Sequence, residues 1–457
     1  MRIVIIGADA AGMSAAHQAL RTARAVGREV SVLAFEAGDH TSYSACGIPY
    51  WLAGDVDSGA ELVARTAREH RAAGIDLRMR TRVVAIDPTR RQVRSRDRAG
   101  IEETHEYDEL VIATGAAPII PDWAHDDTGA LHEGFGVLHD LDDGARWAAR
   151  LGAEPPPVVV AGGGYVGIEA AEAFVRRGCR VTLVTRGRVM SSLDPEMGAR
   201  VAVGMAAAGV KVIEGAEVAG VARDGKGAVC GVSTSDGGSH HGLVTLALGV
   251  RPRTQLAVDA GIPVGQRGGL LADPTGRVAP GVWAAGDCTE VLHRLTGSPA
   301  FLPLGTHANK QGRVVGTNIV DDGQVRFGGA LGTAITRFVT ADVHLEIART
   351  GLTLAQATEL GLDAVALDTE GTTASRYMPE AADVAVRVVA DRQDRRLLGV
   401  QIVGGPGAGK RIDTAAIALW GGMSVDEVAG ADLSYAPPFA TVWDILQIAV
   451  RRLAERL

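Results

Sequence analysis

Two stretches of this chain share one pattern, an apolar strand, a glycine turn and a helix, and its repetition constrains the fold more than any other feature. In the first, residues 3–6 run into Gly7-Ala8-Asp9-Ala10-Ala11-Gly12 and a helical stretch over 13–26; residues 30–36 read as the next strand and end on Glu36. In the second, residues 158–161 lead into Gly162-Gly163-Gly164-Tyr165-Val166-Gly167, then a helix over 168–177 and a strand over 180–184. Glycines at such a turn let the backbone approach a pyrophosphate at the helix N-terminus, and an acid closing the next strand takes the ribose hydroxyls. Asp9 stands at the middle glycine position of the first turn, and Glu36 restores the reading. The second turn is complete, but its next strand ends in Thr185-Arg186-Gly187-Arg188 with no acid. An arginine there accommodates the 2′-phosphate of NADPH, which favours NADPH over NADH. The plainer reading is that Arg186 and Arg188 are solvated in an arginine-rich chain.

Each half closes on an apolar strand ending at glycine, Leu110-Val111-Ile112-Ala113-Thr114-Gly115 and Leu243-Val244-Thr245-Leu246-Ala247-Leu248-Gly249. Two turns with two matching return strands predict α/β architecture with two nested Rossmann-like dinucleotide-binding domains. Residues 116–157 read as a loop-rich crossover ending in three prolines. The expected partition is 1–118 with 250–330, then 150–249, with 119–149 between them. From about residue 331 alternating strands and two helices, over 412–420 and 442–453, indicate a C-terminal α+β domain, 331–457. A polar helix is expected over 59–74.

The stretch Ser42-Tyr43-Ser44-Ala45-Cys46-Gly47-Ile48-Pro49-Tyr50 carries a cysteine among small residues just beyond Glu36. Cysteine does chemistry as the thiolate, in a partly exposed electropositive setting, whereas a free cysteine is more often simply buried. The two nucleotide turns favour chemistry. The other cysteines, 179, 230 and 288, show neither metal-ligand nor disulfide-framework spacing, which suggests a reducing, cytoplasmic compartment.

Over 457 residues the formal charge is −8 without blocks of like charge, which argues against nucleic acid or anionic membrane as partner. No apolar run approaches a membrane span, and the first strand begins at once, leaving no room for a signal peptide. No metal is expected; His240-His241 reads as a solvated turn. Gly404-Gly405-Pro406-Gly407-Ala408-Gly409-Lys410 matches a P-loop up to its lysine, but Arg411 replaces the hydroxyl that would hold magnesium.

On the two turns, Ala113-Thr114-Gly115, Gly286-Asp287 and the terminal domain, the chain resembles the FAD- and NAD(P)H-dependent pyridine nucleotide–disulfide oxidoreductases. Most members carry a C-x₄-C pair; here Thr41 and Trp51 occupy those offsets around Cys46. The sequence is therefore similar to the single-cysteine branch of coenzyme A-disulfide reductases, NAD(P)H oxidases and peroxidases. Peroxide-reducing members place a histidine where this chain has Ala10. Cys46-Gly47-Ile48-Pro49-Tyr50 is similar to the reductase form, and Arg376-Tyr377-Met378-Pro379 and Leu433-Ser434-Tyr435-Ala436-Pro437 resemble its two tyrosine motifs.

The resemblance implies FAD on Gly7, Ala11, Gly12, Glu36, Ala113, Thr114, Gly115, Gly286 and Asp287. It implies NADPH on Gly162, Gly164, Tyr165, Val166, Gly167, Arg186, Arg188 and Gly249. Cys46 would be the redox centre, and Tyr377 and Tyr435 would reach the Cys46 of a second chain in a homodimer. Gln18, Arg21 and Ser42 would contact a small disulfide such as coenzyme A disulfide. Ala45 and Met378 depart from the reductase pattern, and no rhodanese domain is expected. An oxidase using oxygen through a Cys46 sulfenic acid, and an FAD/NADPH redox sensor without turnover, are the alternatives.

Overall fold

A computed structural model describes residues 1–152, 154–321 and 325–457. They form two compact units: Met1–Gly47, Ser58–Pro118 and Val250–Ala330 in the first; Ile48–Asp57, Ile119–Gly249 and Leu331–Leu457 in the second.

In the first unit, the strand Arg2–Ile6 is central. It pairs in parallel with Ser31–Phe35, which pairs with Ile75–Arg78, and on its other side with Glu109–Ile112, followed by Val282–Ala284. Such strands are covered on both faces, which is why they read as apolar runs. Ile3, Ile5 and Val111 pack under the helix Ala10–Val26; Val4, Ile6 and Leu110 pack on the other face with Val83, Ile86 and Val93 of an antiparallel meander. The helix Gly305–Asp321 lies against Ala10–Val26 so closely that a Cβ on Gly312 or Gly316 would stand 2.3 Å from the carbonyl oxygen of Ala11 or Ala15. Small residues one turn apart let the two backbones touch.

The second unit repeats the plan. Its parallel sheet runs Lys211–Glu214, Val181–Thr185, Val158–Ala161, Leu243–Leu246, Phe135–Gly136. As in the first unit, a three-stranded meander, here Val218–Arg223, Val229–Thr234 and Ser239–His241, precedes the return strand. The C-terminal part is a five-stranded antiparallel sheet in the order Ala334–Val339, His344–Gly351, Leu397–Gly404, Asp383–Asp391, Ala364–Thr372, with helices Ile412–Gly421, Val425–Ala429 and Ile445–Ala454. The expected architecture of two nucleotide-binding folds and an α+β domain is present. Among the described residues no helix is long and apolar enough to cross a membrane.

Two local expectations fail for identifiable reasons, and the discounted P-loop likeness finds its explanation. The helix expected over 59–74 is instead a 3₁₀ turn, Gly59–Leu62, and a short helix, Ala67–Ala72. Thr66 starts the second piece as an N-cap: its hydroxyl accepts from Glu69 N–H (3.3 Å) while the Glu69 carboxylate accepts from Thr66 N–H (2.7 Å). His240 and His241 lie on a strand, where His241 Nδ1 is 3.0 Å from Cys230 Sγ. The P-loop likeness has its own occupant: Gly407 and Gly409 N–H donate to the Glu346 carboxylate at 3.1 and 2.7 Å. Arg411 is spent on Asp444 (2.9 Å) and on the Thr373 and Phe439 carbonyls (both 2.6 Å).

Candidate functional site

The two glycine turns are built alike, to within a tenth of an ångström. A Cβ on Gly7 would stand 2.1 Å from the Ala113 carbonyl oxygen, and one on Gly162 would stand 2.2 Å from that of Ala247. A Cβ on Gly12 would meet Gly7 O at 1.9 Å, and one on Gly167 would meet Gly162 O at 2.0 Å. Gly7 and Gly162 also have φ of +99° and +118°, outside what a side chain allows. Each turn is thus pressed on the end of its return strand, and the following helix starts against it.

In the first unit, the residues expected at FAD come together. Glu36 Oε2 accepts from Ala8 N–H at 3.0 Å and its Oε1 from Gly38 N–H at 2.8 Å, so the acid is fixed beside the turn. Gly286 takes φ +85° and lies so close to Ala11 that an added Cβ would be 2.8 Å from the alanine methyl; its N–H donates to Gln311 Oε1 at 2.9 Å. Thr114 Oγ1 donates to Arg253 O (2.5 Å), and Arg253 N–H donates back to Gly115 O (2.9 Å). Asp287 is mostly buried, accepts no hydrogen bond among the described residues, and is pushed up to about 6 by loss of solvent. A desolvated, unsatisfied carboxylate beside a glycine cradle suits a ligand rich in hydroxyls. The FAD set therefore fits.

Asp9, the odd residue in the first turn, turns its carboxylate aside: Oδ1 accepts from Tyr43 N–H at 3.3 Å. Burial, aided by the Glu36 charge, raises it to about 6. Thr41 donates its hydroxyl to Ala8 O. The nucleotide turn and the cysteine loop are therefore hydrogen-bonded to each other.

That loop is held from its other side by residues 62–65. Ser44 N–H donates to Leu62 O at 2.8 Å, and Ala64 N–H donates to Ser42 O at 2.8 Å. Ser42 itself has φ +48°, rare outside glycine. Cys46 follows in the 3₁₀ turn Ala45–Gly47, exposed as a thiol, whereas Cys179 and Cys288 are buried. Gln18 and Arg21 lie together on the helix Ala10–Val26, Arg21 donating to Gln18 Oε1 at 2.9 Å.

In the second unit, the expected nucleotide residues also gather. Met190 N–H donates to Gly163 O at 2.7 Å, drawing residues 186–190 against the glycine turn. Arg186 is exposed with Glu217 3.6 Å away, and Arg188 is exposed with no partner among the described residues. Tyr165 begins the helix Tyr165–Arg176 with Val166 exposed beside it, and burial raises the tyrosine's pKa. Gly249, at φ +93°, accepts from Ile119 N–H at 2.9 Å. Here too the donors and cations fit a nucleotide. Tyr377 and Tyr435 are exposed, at 75% and 46%.

Sequence reasoning missed two groups. Glu169, two residues past the second turn, is pushed up to about 7 by burial, with the Thr336 hydroxyl donating to it at 2.8 Å. His17 and His70, far apart in the chain, meet: His17 Nε2 and His70 Nδ1 are 2.8 Å apart. The acid two positions after the last turn glycine was a visible signal for the first; nothing local signals the second.

The fold and site define a two-nucleotide flavoprotein oxidoreductase, and comparison with known proteins agrees. The chain belongs to the pyridine nucleotide-disulphide oxidoreductases, whose pattern matches residues 1–312, with the family's dimerisation domain at 338–445. The family binds FAD and NAD(P)H. The NAD(P)H coenzyme A polysulfide/persulfide reductase of Pyrococcus horikoshii is 34% identical over 471 residues, covering 99% of this chain and 98% of that one. The solved NAD-dependent persulfide reductase from A. fulgidus superposes with TM-score 0.92 at 30% identity, over 100% of this chain and 83% of that one. A water-forming NADPH oxidase, engineered from the Lactobacillus brevis NADH oxidase, superposes with TM-score 0.91 at 26% identity, over 100% and 99%.

Proposed function

We propose that this protein passes the electrons of NADPH through FAD to Cys46, which reduces a low-molecular-weight disulfide such as coenzyme A disulfide. The observation that carries the reading is the single exposed thiol on a loop hydrogen-bonded to the first nucleotide turn. Bound on their turns, the nicotinamide supplies a hydride and the flavin relays its two electrons, so one NADPH and one proton turn each disulfide into two thiols.

The Cys46 thiolate attacks one sulfur of the disulfide, forms the mixed disulfide and expels the first thiol as its anion. Two electrons then cleave the mixed disulfide, releasing the second thiol and restoring the Cys46 thiolate. Gly7, Ala11, Gly12, Glu36, Ala113, Thr114, Gly115, Gly286 and Asp287 hold FAD in this proposal, Asp287 taking the ribityl hydroxyls. Gly162, Gly164, Tyr165, Val166, Gly167 and Gly249 hold the nicotinamide nucleotide.

Arg186 and Arg188 take the 2′-phosphate. Supporting this, Arg188 has no competing acid among the described residues, and the engineered NADPH oxidase gained arginines and lost an aspartate. Gln18, Arg21 and Ser42 line the approach to Cys46. Tyr377 and Tyr435, exposed here, donate hydrogen bonds near Cys46 of a second copy in a homodimer. The domains are 1–118 with 250–330 for FAD, 150–249 for NADPH after a crossover at 119–149, and 331–457 for dimerisation; the site is expected in the cytoplasm.

NADPH oxidation by the flavin-loaded protein under nitrogen, with coenzyme A disulfide added, tests the reading: fast turnover yielding free thiol is expected. Turnover only in air, with no acceptor added, would overturn it in favour of the oxidase, a reading supported by the likeness to water-forming oxidases.

A further inference from the structure

Arg65, His17, His70 and Ser42 form one line of hydrogen bonds leading into the cysteine loop. Arg65 NH1 is 2.9 Å from His17 Nε2, His17 Nε2 is 2.8 Å from His70 Nδ1, and His70 Nε2 is 2.9 Å from Ser42 Oγ. The line has a direction. A guanidinium only donates, so His17 Nε2 is an unprotonated acceptor. His70 Nδ1, facing that same lone pair, must then carry the ring's proton. His70 Nε2 is left as an acceptor, and the Ser42 hydroxyl donates to it. Ser42 Oγ therefore shows only lone pairs to anything else that approaches.

The surroundings keep both rings neutral. Burial and the Arg65 and Arg21 charges lower His17, and burial, His17 and Arg65 lower His70 to about 4 against a small opposing pull from Glu69. His70 is 1% exposed. Ser42 is fixed at its backbone as well, with its carbonyl accepting from Ala64 and Arg65 N–H.

We propose that His70, set by His17 and Arg65, is a positioning residue that holds Ser42 as a pure hydrogen-bond acceptor, so that the site selects organic disulfides bearing N–H donors over inorganic polysulfide anions. Coenzyme A disulfide carries amide N–H groups; a polysulfide chain has no donor and gains nothing from Ser42. The proposal rests on Ser42 contacting the substrate, as in the reading above.

Two measurements test it. In the holoenzyme, ¹⁵N-histidine NMR, assigned with His17→Gln and His70→Gln, should show His70 protonated at Nδ1 and bare at Nε2; the opposite tautomer overturns the polarity. Under nitrogen, His70→Phe should raise KM for coenzyme A disulfide about fivefold, the worth of one neutral hydrogen bond, with kcat and the KM for inorganic polysulfide unmoved. His70→Gln, whose amide oxygen can still accept from Ser42, should restore most of the loss. A rise shared by both acceptors, or no change with either, refutes the selection. Wild-type enzyme inert towards both acceptors would refute the disulfide reading instead, and the NMR result would still decide the polarity.

Discussion

Gly162→Ala and Gly164→Ala, two positions apart, should fail in opposite ways. At Gly162 a methyl would sit 2.2 Å from the Ala247 carbonyl oxygen at a φ of +118°. A backbone conformation of that kind costs an alanine about 1–3 kcal/mol before any clash, and the obstacle is backbone at the end of a buried strand. A loss of about 3 kcal/mol follows, which at roughly 2–4 °C per kcal/mol lowers the melting temperature by about 6–12 °C. At Gly164 φ is −86° and nothing stands within 4 Å of the added methyl, so the fold should be indifferent. The methyl instead occupies the face where backbone meets pyrophosphate, and KM for NADPH should rise about tenfold, 1.4 kcal/mol of lost binding. Circular dichroism melts and steady-state kinetics on both variants separate the effects. A Gly162→Ala protein that melts with wild type, or a Gly164→Ala protein destabilised as much as Gly162→Ala, would refute the reasoning.

Asp287, raised to about 6 by burial, weakens the flavin-stripped protein as pH climbs, because the folded state holds its proton longer than the unfolded state. Asp287→Asn should stabilise the stripped protein by up to about 3 kcal/mol above pH 6. That gain should fade as pH falls below 6 and be gone near pH 3, where wild type is protonated in both states; urea titrations across pH check it, and the same variant should lose flavin on dialysis. Arg186→Ala with Arg188→Ala should raise KM for NADPH about a hundredfold and leave NADH unchanged, if each phosphate contact is a charge-assisted hydrogen bond worth about 1.5 kcal/mol; equal effects on both nucleotides would place the 2′-phosphate elsewhere.

The two nucleotide folds were legible because their signals are local: a strand, a glycine turn and a helix lie within about thirty residues. Cys46 was legible as a thiol beside such a unit. What stayed hidden depends on contacts between distant positions. Asp9 looked like a defect in the first turn until its carboxylate was seen on Tyr43 N–H, 34 residues away. The apparent P-loop is explained only by Glu346, which fills the turn from a neighbouring strand. The His17–His70–Ser42 line joins a helix, a second helix and a loop, with no spacing rule to announce it. The break in the helix expected at 59–74 was readable, since Thr66 and Glu69 make a capping box.

The claim that Cys46 carries the chemistry is tested most directly by Cys46→Ser, assayed under nitrogen with NADPH and coenzyme A disulfide. The variant should bind FAD and let NADPH bleach the flavin as in wild type, yet release free thiol no faster than the uncatalysed background. Disulfide reduction at the wild-type rate would contradict the account.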